Sequence, residues 1–165
     1  SAASDVYKRQ EGTSELENLI DADSSPVIEG GLVFATNFQG NLTAFDPSQR
    51  RAVWSTDASS FHSPLIIKGL IIVLNNDGSI ISFSGQTLSE SWTNEEYLRR
   101  GLSNATEHDG NVVFGDIEGY LHVINPLTGR TVGREKISGN PIRYVSSRGN
   151  QLFALDSELR MFALN

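Results

Sequence analysis

The chain has 165 residues, a mass of 18.0 kDa and 38% hydrophobic residues, which suffices for one globular domain with a sizeable core. Its formal net charge is −7 at pH 7, and because phosphate binding needs a basic stripe, this charge excludes nucleic acid as a partner. Cysteine is absent, which excludes disulfides and thiolate chemistry, and no apolar run reaches the length of about 18 residues that a membrane-spanning helix needs.

The first 23 residues do not follow the pattern of the rest of the chain. Residues 1–10, SAASDVYKRQ, match no repeat and contain no secretory apolar region, so we expect a scar of cloning or sequence assembly. Residues 11–23, EGTSELENLIDAD, are polar and strongly acidic. This segment is predicted to be a loop, and one interpretation is that it is simply solvated.

A pattern of about 40 residues then repeats along the chain. The copies align on the turn glycines Gly40, Gly78 and Gly119, with Leu159 at the same position of a fourth copy. Apolar residues follow two and five positions later, and the fourth copy places Met161 and Leu164 in these columns. Fourteen positions after the glycine stand Trp54 and Trp92, whereas the third copy has Gly133. Such a period indicates a repeat architecture.

Each copy predicts short strands joined by tight turns. In the first copy the strands are expected at 26–29, 32–37, 41–46 and 51–56. The second strand is apolar on both faces, which indicates sheets that stack face to face, and the third alternates between apolar and polar residues. The predicted units are 24–60, 61–101, 102–140 and an incomplete 141–165 with three strands.

Four-stranded units of about 40 residues without helices are typical of a β-propeller. The predicted fold class is therefore all-β, a partial β-propeller of about four antiparallel blades. A two-sheet sandwich would also have evenly spaced short strands, but its columns would not repeat at this period.

The repeated side chains have structural explanations. Gly40, Gly78 and Gly119 are expected in turns that need a positive φ, and the tryptophans are expected to pack between neighbouring blades. Asp46 and Asn125 are predicted to cap turns through side-chain to backbone hydrogen bonds. His122, within an alternating strand, is predicted to be a half-buried structural residue.

Two segments of the chain resemble known proteins. AFDPSQRRAVW (44–54) and INPLTGRTVG (124–133) resemble the quinoprotein-type propeller repeat, although Thr128-Gly129 stands only in the third copy and tryptophan only in the first two. Over 11–165 the chain is similar to the BamB family, the lipoprotein propellers of the outer-membrane β-barrel assembly machinery. GNLTAFD and GDIEGYLHVIN are the most specific matching strings.

The resemblance implies an eight-bladed ring of which this chain would be the C-terminal half, as an open arc. The strand missing from the last unit would then be lent by the N-terminal end of the longer protein. The signal peptide and lipid-bearing cysteine of the family are not found in this chain. The implied location is the periplasmic face of the outer membrane.

The resemblance also implies a function. It implies a scaffold without chemistry or cofactor, which docks on the periplasmic POTRA domains of BamA through acidic and apolar residues of interblade loops. Glu15, Asp21 and Asp23 are the expected partner-binding residues, so a docking segment is the second interpretation of 11–23. Because the arc would have open sheet edges, self-association is also expected.

Two other functions remain as alternatives. One is a fragment of a quinone-dependent dehydrogenase, which would need a cofactor pocket, calcium-binding side chains and a catalytic aspartate. His62, His108 and His122 lie in separate units without metal-ligand spacing, and no catalytic, metal or cofactor site is predicted. The other alternative is a generic propeller module that binds a different partner.

Overall fold

The structure is a computed structural model that describes residues 24–37 and 40–165. It divides into two compact units, Ser1–Pro64 and Leu65–Asn165. Within the described residues, all regular secondary structure consists of short antiparallel strands, as the sequence predicts.

The first unit contains one four-stranded sheet. Its strands follow chain order across the sheet, each paired with the next along the chain. The four strands that the first repeat predicts are present, with bounds that differ by at most one residue at either end. They are β1 (Val27–Glu29), β2 (Leu32–Thr36), β3 (Asn41–Asp46) and β4 (Arg51–Asp57).

The second unit contains three sheets of the same design. The second sheet consists of β5 (Leu65–Ile67), β6 (Leu70–Leu74), β7 (Ile80–Ser84) and β8 (Glu90–Asn94). The third consists of β9 (Ala105–His108), β10 (Asn111–Gly115), β11 (Tyr120–Ile124) and β12 (Thr131–Lys136). The fourth has three strands, β13 (Ile142–Arg148), β14 (Gln151–Asp156) and β15 (Met161–Leu164).

The four-stranded sheets share one register. In each, the pairing between the third and fourth strands shifts between the fourth and fifth residues after the turn glycine, at Ala44/Phe45, Ser82/Phe83 and Val123/Ile124. The residue before each shift pairs with the tryptophan column: Ala44 with Trp54, Ser82 with Trp92, and Val123 with Gly133. The sequence repeat is therefore also a repeat of strand pairing.

The core of the second unit lies between neighbouring sheets. One buried cluster joins the second and third sheets and includes Ile72, Ile80, Val112 and Phe114. Another joins the third and fourth sheets: Val113, Leu121, Ile142, Val145, Leu152 and Ala154. The inner strands therefore bury both of their faces, as continuous apolar runs predict.

Two residues of the fourth repeat, Met161 and Leu159, differ from their counterparts in the other copies. Met161, assigned to an apolar column, is 69% exposed and lies on β15, the edge strand of the three-stranded sheet. Leu159 stands where the other copies have glycine, and it adopts the same left-handed backbone with φ of +61°. The turn geometry is thus retained without glycine, at the cost of local strain.

Candidate interaction surface

The connection between β8 and β9, residues 95–104, is held against the sheets on both sides of it. Arg99 N donates to Asp77 O of the second sheet at 2.8 Å. On the other side Ile117 N donates to Arg100 O at 3.1 Å, and Ser103 Oγ accepts from Gly115 N at 2.8 Å. Because loops fixed in this way lose little entropy on binding, their exposed side chains suit recognition of a partner.

Asp116, directly after β10, holds this region together by accepting four hydrogen bonds. Its Oδ1 accepts hydrogen bonds from the backbone N–H groups of Glu118 at 2.9 Å and Tyr120 at 3.1 Å. Its Oδ2 accepts from Arg100 Nη2 and from His122 Nε2, each at 2.6 Å. One buried carboxylate therefore joins the interblade connection, the β10–β11 turn and strand β11.

The electrostatics of this carboxylate follow from its partners. Burial by itself would raise the pKa of Asp116, but the hydrogen bonds from His122, Arg100 and the two backbone amides outweigh it, so the pKa lies below the ordinary value. The same contact raises the pKa of Arg100, which also pairs with Glu118 at 3.1 Å. The Asp116 carboxylate and the Arg100 guanidinium are thus both ionised at neutral pH and paired with each other.

Two apolar and three charged residues beside this cluster form what we call the rim surface: Leu98, Arg99, Arg100, Ile117 and Glu118. Leu98 is 43% and Ile117 45% exposed, and the charged residues follow them directly in the chain, Arg99 and Arg100 after Leu98 and Glu118 after Ile117. Arg99 has a left-handed φ of +63°, which is unusual for a residue with a side chain. Apolar side chains within a charged border are typical of protein–protein interfaces.

A group of cations lies next to the rim surface. The ring of Tyr120 has Arg100, Arg134 and Lys136 around it, at 5.7, 5.9 and 5.6 Å from its centroid. These distances are within the range of cation–π attraction. Arg134 and Lys136 therefore add positive charge beside the ion-paired Arg100.

Serine hydroxyl groups also anchor the connection between β12 and β13 and the segment before β1. Between β12 and β13, Ser138 Oγ donates to Asp156 Oδ2 at 2.7 Å, and Ile137 N donates to Gly119 O at 2.9 Å. In the first unit, Ser24 Oγ lies 2.7 Å from Thr36 Oγ1. Ser24 and Ser103 each stand 16 residues before the turn glycine of their copy. A serine at this position therefore anchors the entry to the first and the third sheets.

These anchors belong to a polar column of the repeat that was not among the predicted site residues. Asn37, Asn75, Asp116 and Asp156 each stand three positions before the turn glycine or its replacement. Asp116 and Asp156 are fully buried, and each Oδ1 accepts two backbone N–H groups of the following turn. The signal was present in the repeat alignment as an asparagine or aspartate at one fixed position.

The three turn glycines have φ of +97°, +98° and +88°, which is the left-handed region that favours glycine. Two of them have a further reason for lacking a side chain. A Cβ added to Gly78 would lie 2.1 Å from Tyr97 O, and one added to Gly119 would lie 1.9 Å from Ser138 O. These glycines thus let an interblade connection approach the hairpin, which turn chemistry alone does not reveal.

Trp92 joins the second sheet to the third. Its Nε1 donates to Pro126 O at 2.8 Å, and its ring lies against Gly129, where an added Cβ would be 2.4 Å from Cε3. Trp54 occupies the equivalent place in the first sheet. The predicted turn caps are confirmed, since Asp46 Oδ1 accepts from Ser48 N at 2.8 Å and Asn125 Oδ1 from Leu127 N at 2.9 Å.

The histidines have structural partners. The prediction that His122 is half buried is wrong: it is 1% exposed, because its ring packs among Tyr97, Phe114 and Tyr120. His108 Nδ1 lies 2.8 Å from Ser147 Oγ of the fourth sheet. Residues 24–37 and 40–165 hold no group of three potential metal ligands. They also contain no helix that is long and apolar enough to cross a membrane.

The predicted partner-binding residues Glu15, Asp21 and Asp23 lie outside the described residues, as does the rest of the acidic segment 11–23. By position in the repeat, however, Asp21 corresponds to Arg100, since each stands 19 residues before the turn glycine of its copy. Asp23 corresponds in the same way to Leu102, which directly precedes the anchoring Ser103.

Comparison with known proteins places the chain in a family. The family model of the outer membrane protein assembly factor BamB matches residues 3–94 and 51–155. The BamB of Pseudomonas aeruginosa is 32% identical over 154 residues, covering 87% of this chain and 40% of the relative. The BamB of Escherichia coli K12 is 33% identical over 132 residues, covering 78% of this chain and 33% of the relative.

The fold has solved counterparts. The crystal structure of BamB from Moraxella catarrhalis superimposes with a TM-score of 0.78 at 22% identity, covering 85% of this chain and 42% of that one. This likeness confirms the predicted propeller fold class. The chain spans 33–40% of the length of the two curated relatives named above, so it corresponds to part of such a protein.

Proposed function

The chain belongs to the BamB family of outer membrane protein assembly factors, and from this membership we propose that it is part of a scaffold that docks on another component of the assembly machinery. The observation that carries the proposal is the rim surface, in which fixed interblade connections expose apolar side chains within a charged border. Such a surface can bind without first being ordered.

The proposed partner is the periplasmic POTRA region of BamA, and the proposed location is the periplasmic face of the outer membrane. Support comes from the names of the relatives, which are outer membrane assembly factors. The same names support a role without catalysis, because they describe assembly and not a reaction. The anchored Arg100 and its neighbours supply a surface of the kind that such docking requires.

The acidic residues Glu15, Asp21 and Asp23 are proposed as a second part of the docking surface. Asp21 and Asp23 have the repeat positions of residues in the β8–β9 connection, and that connection contributes to the rim surface. Exposed carboxylates at such a place would steer a basic partner and select against an acidic one.

The experiment replaces both aspartates by arginine. Asp21→Arg with Asp23→Arg should weaken capture of the chain by immobilised BamA POTRA domains, make the remaining capture less sensitive to salt, and leave the Tm unchanged. Ser14→Arg with Asn18→Arg introduces two arginines into the same segment but keeps both aspartates, and it serves as the control. Capture that the aspartate substitutions leave unchanged would refute the role of these residues.

A further inference from the structure

Arg99 adopts a left-handed backbone at a place where no hairpin requires one. Among residues 24–37 and 40–165, six residues other than glycine have a positive φ. Arg99, with φ of +63°, lies in the connection between the second and third sheets. The other five lie in turns between paired strands of one sheet, where hairpin geometry favours such a backbone: Arg50, Lys68, Leu88, Asp109 and Leu159.

Backbone hydrogen bonds hold Arg99 in this conformation. Arg99 N donates to Asp77 O of the β6–β7 turn at 2.8 Å, and the next N–H group along the chain donates to Tyr97 O at 3.1 Å. A strained backbone persists where its surroundings determine it in this way. Glycine would adopt the same φ without a Cβ clash, as Gly101 does two residues later at +58°. The turn therefore does not explain why this position carries a long, charged side chain.

The side chain of Arg99 is available to a partner, whereas that of Arg100 is not. Arg100 contacts Asp116 at 2.6 Å and Glu118 at 3.1 Å, so its charge is compensated within the chain. Arg99 is exposed, and no ion pair or side-chain hydrogen bond joins its guanidinium to another residue of the part of the chain that the structure describes. It directly follows Leu98, which is 43% exposed. An uncompensated cation thus stands next to an exposed apolar residue of the rim surface.

We propose that Arg99 is the residue of the rim surface that recognises a carboxylate of the docking partner. A planar guanidinium donates two parallel hydrogen bonds to a carboxylate, and such bidentate pairs add specificity to binding. Backbone strain that is retained at an exposed, anchored position is typical of functional sites. The inference rests on the docking role proposed above, and it adds the chemistry that the partner presents: an Asp or Glu side chain beside an apolar one.

The test measures the Kd of the chain for BamA POTRA domains by calorimetry at low and at high salt. Arg99→Asn removes the cation but tolerates a left-handed backbone, so it should keep the Tm and raise the Kd at least about threefold at low salt. Arg99→Gly should raise the Kd equally without lowering the Tm, because glycine relieves the strain. High salt should reduce the loss, since exposed ion pairs are screened. An unchanged Kd in both variants, or a loss that salt does not reduce, would overturn the proposal.

Lys68→Gly is the matched control. Lys68 is also exposed and has a φ of +50°, so the substitution removes the same charge from the same kind of backbone. It lies in the β5–β6 turn, at the end of β6 opposite to the β6–β7 turn that accepts the hydrogen bond of Arg99. The Kd of this variant should equal that of the wild type. A loss equal to that of Arg99→Gly would indicate a nonspecific effect of charge and would also overturn the proposal.

A variant of the apolar residues separates this inference from the docking role itself. If Leu98→Ser with Ile117→Ser weakens binding and the Arg99 variants do not, the carboxylate contact is refuted and the docking role stands. If none of these variants weakens binding, the docking role of the rim surface is refuted as well.

Discussion

Asp116 directly follows β10 and His122 lies on the neighbouring strand β11, with 2.6 Å between Asp116 Oδ2 and His122 Nε2. Both side chains are fully buried, and Arg100 reaches the same carboxylate oxygen from the β8–β9 connection. His122 has a structural role in this arrangement: its ring fills the core beside Phe114, and its Nε2 donates to the carboxylate. Asp116, held by His122 and bound to Arg100, explains how the β8–β9 connection is fixed to the third sheet.

Replacing Asp116 by asparagine tests this account. Asp116→Asn should lower the free energy of unfolding at pH 7 by about 2 kcal/mol, because the amide is a weaker acceptor for Arg100 and turns an N–H group toward another donor. The measurement is urea denaturation. Glu118→Gln is the control, and it should change stability by less than about 0.5 kcal/mol, because its ion pair with Arg100 is exposed.

The same variant should change the response of the protein to acid. Because the pKa of Asp116 is lowered in the folded state, its stabilisation is present above the unfolded pKa of about 3.9 and is lost as the pH falls through the lower folded value. The difference in stability between wild type and Asp116→Asn should thus be largest near neutral pH and shrink below about pH 4. A difference that grows on acidification would contradict this assignment.

The turn glycines provide a matched pair. Gly40 and Gly78 have φ of +97° and +98°, but an added Cβ would meet Ser59 Cβ at 3.9 Å in one case and Tyr97 O at 2.1 Å in the other. Gly40→Ala should therefore cost about 1–2 kcal/mol from backbone strain, and Gly78→Ala clearly more. Thermal unfolding measures both, and equal losses would show that the contact with Tyr97 is unimportant.

Leu159 offers a stabilising substitution. It is 80% exposed and has a φ of +61°, so it contributes strain and buries little apolar area. Leu159→Gly should raise the free energy of unfolding by up to about 1 kcal/mol, since glycine adopts this backbone without the clash of a Cβ. Leu127→Gly is the control, because Leu127 is also exposed but lacks a positive φ, and it should not stabilise.

The sequence predicts the fold well because two local signals repeat together. Glycine at the hairpin and alternating apolar residues after it set the strands, and the tryptophan column sets the place where sheets meet. The bounds of β1–β4 follow from these signals alone. The exposure of Met161 does not, because burial depends on a neighbouring sheet and not on the residue type.

The candidate site is less predictable, because its anchors act between distant parts of the chain. Asp116 reaches Arg100, which is 16 residues away, and Ser138 reaches Asp156 across 18 residues. No local spacing rule indicates these pairs.

The most direct test of the docking role is the affinity of the chain for BamA POTRA domains, measured by calorimetry with and without the apolar part of the rim surface. Leu98→Ser with Ile117→Ser should raise the Kd at least about tenfold, because buried apolar contacts contribute most of the binding energy at such interfaces. Leu127→Ser with Val132→Ser removes exposed apolar groups elsewhere and should leave the Kd unchanged. An unchanged Kd for the rim variant, with its fold intact, would contradict the proposal.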